Sequence, residues 1–167
     1  MGKVIFFDSK GGIRMTSIFD VARFFLSKNP MSHLKLQKLC YYAQAWHLAI
    51  FGKRLVNEEF QAWLHGPVSP TLYQYYKQWG FYDISQYTGT VDLDGETEDF
   101  LEMIYEIYGR YSGSQLERFT HTEEPWIQAR DGAEGYCTNV IPDGSMEEYY
   151  KNTLHQKMKE MKEEQRV

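Results

Sequence analysis

The stretch that most restricts the fold runs from Leu39 to Phe51, where nearly every residue is apolar or aromatic. Ser32 ahead of it is a good N-cap and Gly52 behind it a good stop, so Ser32–Phe51 reads as one helix of about 20 residues, ~30 Å long. A helix that is apolar on every side has no face to give to water. It belongs at the centre of a core, with other elements packed around it. The expectation is a mainly α chain: a compact single-domain helical fold around this central buried helix, with at most a minor β element. A length of 167 residues suits one domain, and 43% apolar against 25% charged residues excludes a disordered chain.

The remaining sequence supplies shorter elements. Ser17 caps the amphipathic run Ile18–Leu26, which ends near Asn29-Pro30. Lys53–Ala62 reads as a turn and a short extended piece, and Pro67 forces Gly66 out of helical geometry. Ser69 and Pro70 then open a helix with Leu72, Tyr75, Tyr76 and Trp79 as its inner stripe and Gly80 as its stop. Residues 81–95 are loop, with room for a weak strand. Thr97–Tyr111 returns to helical spacing through Phe100, Leu101, Ile104, Ile107, Tyr108 and Tyr111. Short helices follow around Ser114–Phe119 and from His121-Thr122-Glu123-Glu124-Pro125-Trp126; Gly132–Pro142 is loop. Ser145 and Glu148 suggest a capping box for a last helix with Met146, Tyr149, Tyr150 and Leu154 on its inner face. Residues 1–14, with the run Val4–Phe7 and the turn at Gly11-Gly12, stand apart as an N-terminal extension, with Met15 as an alternative start. Residues 151–167 form a charged C-terminal helical extension in which Met158 and Met161 continue the apolar stripe.

No apolar run approaches ~18 residues, so no transmembrane helix is expected, and Val4–Phe7 is too short for a signal peptide. Cys40 and Cys137 make no disulfide framework, which fits a reducing cytoplasm. The charge is uneven: residues 1–79 carry 10 Lys/Arg against 4 Asp/Glu, residues 80–167 carry 8 against 19. Such a dipole biases encounter with a charged partner. The basic half has no cluster longer than Lys53-Arg54, which disfavours nucleic acid as that partner.

On a helical wheel His33, Gln37, Cys40, Gln44 and His47 fall within about ±40° of one direction. As a metal site this stripe fails, because neighbouring His and Cys are ~10 Å apart in rise while zinc needs each ligand at ~2.0–2.3 Å. The bland reading is that these side chains hydrogen-bond backbone inside the core. The sharper readings are a polar groove for a partner, or a small enzyme using the His33–His47 stripe with His65 and His121. A nucleophile pair of Cys40 or Cys137 with His121 lacks any supporting motif, and there is no C-x-x-C, H-E-x-x-H or P-loop. Asp92–Glu96 has the composition of a calcium loop without its spacing. No catalytic residue, metal or cofactor is assigned. Thirteen Tyr, ten Phe and four Trp include Tyr41-Tyr42, Tyr73, Tyr75-Tyr76 and Tyr149-Tyr150. These are too many for all the hydroxyls to sit in an apolar core, so some should emerge as protein-binding surface.

Three blocks then become recognisable: Leu34–His47, Ala62-Trp63-Leu64-His65-Gly66-Pro67-Val68, and Thr120–Trp126. With the opening Thr16–Ala22 and the closing Met146–Tyr150, they resemble the Panacea (SocA-like antitoxin) domain family over about Met15–Tyr150. Cys40 stands where an aliphatic residue would be ordinary, a departure that leaves packing intact. The resemblance implies a compact, mainly helical protein of bacteria or phages, without enzymatic activity, that acts as an antitoxin by directly binding a cognate toxin. The alternative is a phage-encoded regulator or anti-defence protein that binds a host protein or nucleic acid. Interfaces favour aromatic and basic anchors, so the expected partner-binding residues are Lys35, Lys38, Tyr41, Tyr42, Tyr73, Tyr76 and Trp79. Leu154, Met158 and Met161 join them, since a helical apolar stripe suits a partner's groove.

Overall fold

The structure, a computed structural model, describes residues 15–166; the expected N-terminal extension, residues 1–14, lies outside the described residues. In chain order the elements are α1 (Ile18–Lys28), α2 (His33–Phe51), β1 (Gln61–Trp63), β2 (Gly66–Val68), α3 (Pro70–Tyr76) with a 3₁₀ turn Lys77–Trp79, α4 (Gly95–Tyr108), α5 (Gly113–His121), α6 (Glu124–Arg130) and α7 (Asp143–Glu164). The fold is mainly α, with one small hairpin among the described residues.

Helix α2 starts and stops where its sequence marks it. The Ser32 hydroxyl accepts from the Lys35 N–H at 3.1 Å, and Gly52, left-handed at φ 68°, donates back to the Leu48 carbonyl at 2.9 Å. All residues from Leu36 to Ala45 are buried, so every face of α2 is covered. Helices α1, α3, α4, α5 and α7 and strand β2 all pack on it, α7 most extensively. Ser17, Ser69, Asp94 and Ser112 cap α1, α3, α4 and α5 through side-chain oxygens. Each cap satisfies an N–H that the first helical turn leaves without a partner.

The hairpin pairs Gln61 with Val68, Ala62 with Pro67 and Trp63 with Gly66, and Val140 forms an isolated bridge to Gln61. Gly66 has φ 101°, and a Cβ there would lie 2.4 Å from Lys38 Cε and 2.8 Å from Thr120 Oγ1. The hairpin therefore lies directly on the Lys38 side chain, and only glycine allows that approach.

Three expectations are corrected. The Ser145/Glu148 capping box does not form. Helix α7 begins earlier, after Pro142, and the Ser145 hydroxyl donates to the Pro142 carbonyl at 2.8 Å instead. In α3, Leu72 and Tyr76 are buried but Tyr75 is 51% exposed. Trp79, in the 3₁₀ turn that follows Tyr76, stays half-buried against the core as expected, so Tyr75 alone leaves the stripe. In α4, Ile107 is exposed; the inward position at that end belongs to Tyr108, which stacks on Tyr42 at 4.0 Å.

Candidate partner-binding site

The polar stripe of α2 is used on backbone. Gln37 Oε1 accepts from the Ser69 N–H at 2.9 Å and its Nε2 donates to the Ser69 carbonyl at 3.2 Å. Gln44 Oε1 accepts from the N–H groups of Leu55 and Val56 at 2.9 and 3.0 Å, while its Nε2 donates to the Val56 carbonyl. His47 Nδ1 meets the Lys53 carbonyl at 2.6 Å. These amides pair loop backbone that would otherwise be stranded in the core. Burial pushes His33 down to about 4, with Lys38 adding to the shift, and pushes the Cys40 thiol well up, so neither is charged at neutral pH. Among the described residues no three His, Cys, Asp or Glu side chains are grouped to hold a metal.

A second polar group lies under the hairpin. Lys38 is fully buried, its Nζ donating to the Pro67 carbonyl at 3.1 Å. Burial lowers its amine to about 7, and Glu117 opposes the shift. Glu117 also receives His65 Nδ1 at 2.8 Å, and His121 Nε2 stands 3.9 Å away while its ring stacks on Trp126 at 4.1 Å. His65 and His121 thus meet at one carboxylate between the hairpin turn and the end of α5. Trp126 Nε1 in turn donates to the Trp63 carbonyl at 2.8 Å. These contacts tie the hairpin to α5 and α6.

The third group explains the tyrosines. Glu123 Oε1 accepts from the Tyr42 hydroxyl at 2.7 Å and the Tyr150 hydroxyl at 2.9 Å, and Tyr150 lies 3.2 Å from the Tyr41 hydroxyl. Tyr108, stacked on Tyr42, accepts from Trp46 Nε1 at 2.8 Å. One half-buried carboxyl therefore joins α2, the start of α6 and α7. Burial raises Glu123 to about 7 against the pull of its two phenol donors.

Of the expected binding residues, the structure puts Lys38, Tyr41, Tyr42 and Tyr76 in the interior, which removes them from any surface of the folded chain. Some tyrosines do emerge, Tyr75 among them, but not Tyr41 and Tyr42; Glu123 takes the hydroxyls of Tyr42 and Tyr150 inside. In the sequence Glu123 stands only within the Thr120–Trp126 block, and no local pattern singles out a carboxyl that will meet tyrosines from distant helices. Lys35, Tyr73, Trp79 and Leu154 are half-buried; Met158 and Met161 are 47% and 60% exposed. Lys35 Nζ already donates to the Gly109 carbonyl, and the Tyr73 ring sits between His33 and Trp63. From His155 to Arg166 every residue is exposed, so the end of α7 leaves the body as a free helix. An open groove of about 660 Å³ between α6 and α7, lined by Glu124, Glu148, Tyr149, Lys157 and Glu160 among others, leads along it. Sequence reasoning missed Phe81 and Tyr82, two neighbouring rings that stand in water after α3.

The sequence profile of the antitoxin SocA-like, Panacea domain matches residues 36–127. The chain belongs to the Panacea-domain family. A curated relative from Caulobacter vibrioides (strain NA1000 / CB15N), named antitoxin SocA, is 33% identical over 116 residues. That match spans 62% of this chain and 62% of the relative's length. No solved structure matches significantly. The Panacea match takes in Lys38, the hairpin, Glu117, His121 and Glu123, the polar groups that fix the body. Helix α7 lies beyond it, so the tyrosine cage of this Panacea domain is completed by Tyr150 from outside the matched region.

Proposed function

We propose that this chain is an antitoxin that neutralises a cognate toxin by direct protein–protein binding. The observation that carries the reading is the 33% identity to a relative named an antitoxin, within a shared domain family. The use of the histidine–glutamine stripe on backbone supports binding over chemistry. For recognition we assign the free end of α7. Leu154, Met158 and Met161 lie at i, i+4 and i+7 on one side of an otherwise charged helix, and methionines adapt readily to a partner's groove. The acidic groove beside it extends the same surface. Lys35, Tyr73 and Trp79, the other expected residues that reach the surface, form a secondary contact.

The test is co-expression in bacteria with the protein encoded beside this chain's own reading frame. The full chain restores growth against that protein and co-purifies with it. A chain truncated after His155 folds with an unchanged melting temperature but loses most of the rescue. A full chain that neither binds nor rescues overturns the reading.

A further inference from the structure

Helix α7 carries acids on two faces and treats them differently. Asp143 pairs with Arg54 at 3.4 Å, and Glu147 pairs with Lys151 at 3.6 Å. On the face turned toward α6, Glu148 and Glu160 join Glu124 of α6 along the open groove of about 660 Å³. There the pairing stops. Among the described residues the Glu124 and Glu148 carboxylates make no ion pair and accept no hydrogen bond, and Glu160 accepts only from the Gln156 amide at 3.0 Å. The lining sets three carboxylates against the single amine of Lys157. Their field reaches the groove wall: the Tyr149 hydroxyl is raised by burial, and then by Glu123 and Glu124. Like charges along a concave surface focus their field on an incoming cation.

We infer that this groove binds a basic, extended segment of the toxin that carries more than one arginine or lysine; the inference rests on the antitoxin reading above. Charge selects the occupant. The same carboxylates repel a nucleic-acid backbone. A divalent ion lacks a site, since no three His, Cys, Asp or Glu side chains among the described residues are grouped to hold one. A second copy has no matching surface. Its half-buried Arg23, Lys28 and Arg54 are already paired with acids. Outside α7 its exposed cations among the described residues are Lys53, Lys77, Arg110 and Arg118, each on or beside a different element. The lysines at the end of α7 are interleaved with Glu160, Glu163 and Glu164. Length then defines the segment. From Glu148 to Glu160 the helix rises ~18 Å, which an extended chain covers in about five or six residues. Asn152 stands between those two carboxylates on α7 and can bond the segment's backbone. Guanidinium forks suit the carboxylates, and the Tyr149 ring offers its face to a cation.

The experiment measures the affinity of the purified full-length chain for the neighbour-encoded protein used in the rescue assay, at about 50 and 300 mM NaCl. It compares the wild type, the double variant Glu124→Gln/Glu148→Gln, the charge reversal Glu148→Lys and the control Glu134→Gln, an exposed acid in the loop after α6. Glu124 and Glu148 have no partner in the folded chain, so the groove variants melt close to the wild type. The wild type loses ~10-fold or more in affinity between the two salt concentrations. The double variant binds ~10-fold more weakly at low salt and responds less to salt, and Glu148→Lys is weaker still. Glu134→Gln binds as the wild type does. Rescue and binding that are indifferent to salt and to both groove variants dismiss the groove, while the antitoxin reading stands. If Glu134→Gln weakens binding as much as the groove variants, net charge and not the groove is responsible, and the proposal is overturned. If the wild type neither binds nor rescues, both readings fall. If ultracentrifugation shows a wild-type dimer that the double variant dissolves, the occupant is a second copy and the proposal is overturned.

Discussion

Glu123 shows how much one side chain decides. Its carboxyl, raised by burial to about 7 from an ordinary 4.5, holds in the folded state a proton that the unfolded chain has released between those values. Its contribution to stability is therefore complete below about pH 4.5 and is lost as pH rises through 7, by at most ~3 kcal/mol. Glu123→Gln keeps an oxygen for the Tyr42 and Tyr150 hydroxyls and cannot ionise. The variant should be more stable than the wild type at pH 8 by about 1–3 kcal/mol, with the difference vanishing near pH 5. Urea melts at the two pH values check this. Tyr150→Phe removes one donor from the carboxyl and a contact from Tyr41, and should cost about 1–2 kcal/mol.

At the scale of elements, the hairpin and α7 behave differently. The hairpin is locked by close approach. A Cβ at Gly66 meets Lys38 and Thr120 and adopts a backbone region hostile to side chains, so Gly66→Ala should cost at least ~2 kcal/mol, read as a lowered melting temperature. Helix α7 is two helices in physical terms. Its first turns bury Met146 and Tyr150 in the core, and its last turns, from His155 on, are exposed. Short helices without tertiary contacts are marginal in water. Hydrogen exchange should therefore be slow around Met146–Tyr150 and fast beyond His155, becoming slow there only when a partner binds. Equal protection along the whole of free α7 would contradict the division.

For the whole molecule, three titratable groups set the pH response. Glu123 makes stability fall as pH rises from about 4.5 to 7. His33, lowered to about 4 from 6.5, makes stability rise with pH over nearly the same window and offsets that fall. Lys38, lowered to about 7 from 10.5, binds its proton more readily in the unfolded chain, so stability rises with pH between those values. Thermal melts from pH 5 to 9 check it: Glu123→Gln leaves the rise from His33 unopposed on the acid side, and Lys38→Met flattens the alkaline rise. Wild-type stability that does not rise from pH 7 to 9 relative to Lys38→Met would refute the linkage.

The sequence by itself determined the elements and their order. Ser17, Ser32, Gly52 and Ser69 mark helix ends through local hydrogen bonds and backbone freedom, which depend on neighbours a few residues away. The apolar run of α2 determined that this helix would be central, because burial on every side is the only way to remove such a surface from water. Periodicity failed at Tyr75 and Ile107, which face water, and the cap expected for α7 was displaced by a start one turn earlier. Which tyrosines face water was decided only in three dimensions. Tyr42 and Tyr150 are 108 residues apart, and both could be buried because Glu123, from a third element, arrives between them. Phe81 and Tyr82 stay outside because Gly80 turns the chain there and backbone hydrogen bonds on either side prevent the rings from folding back. A polar atom's partner and a ring's exposure depend on contacts between distant segments, and those exist only once the helices have packed.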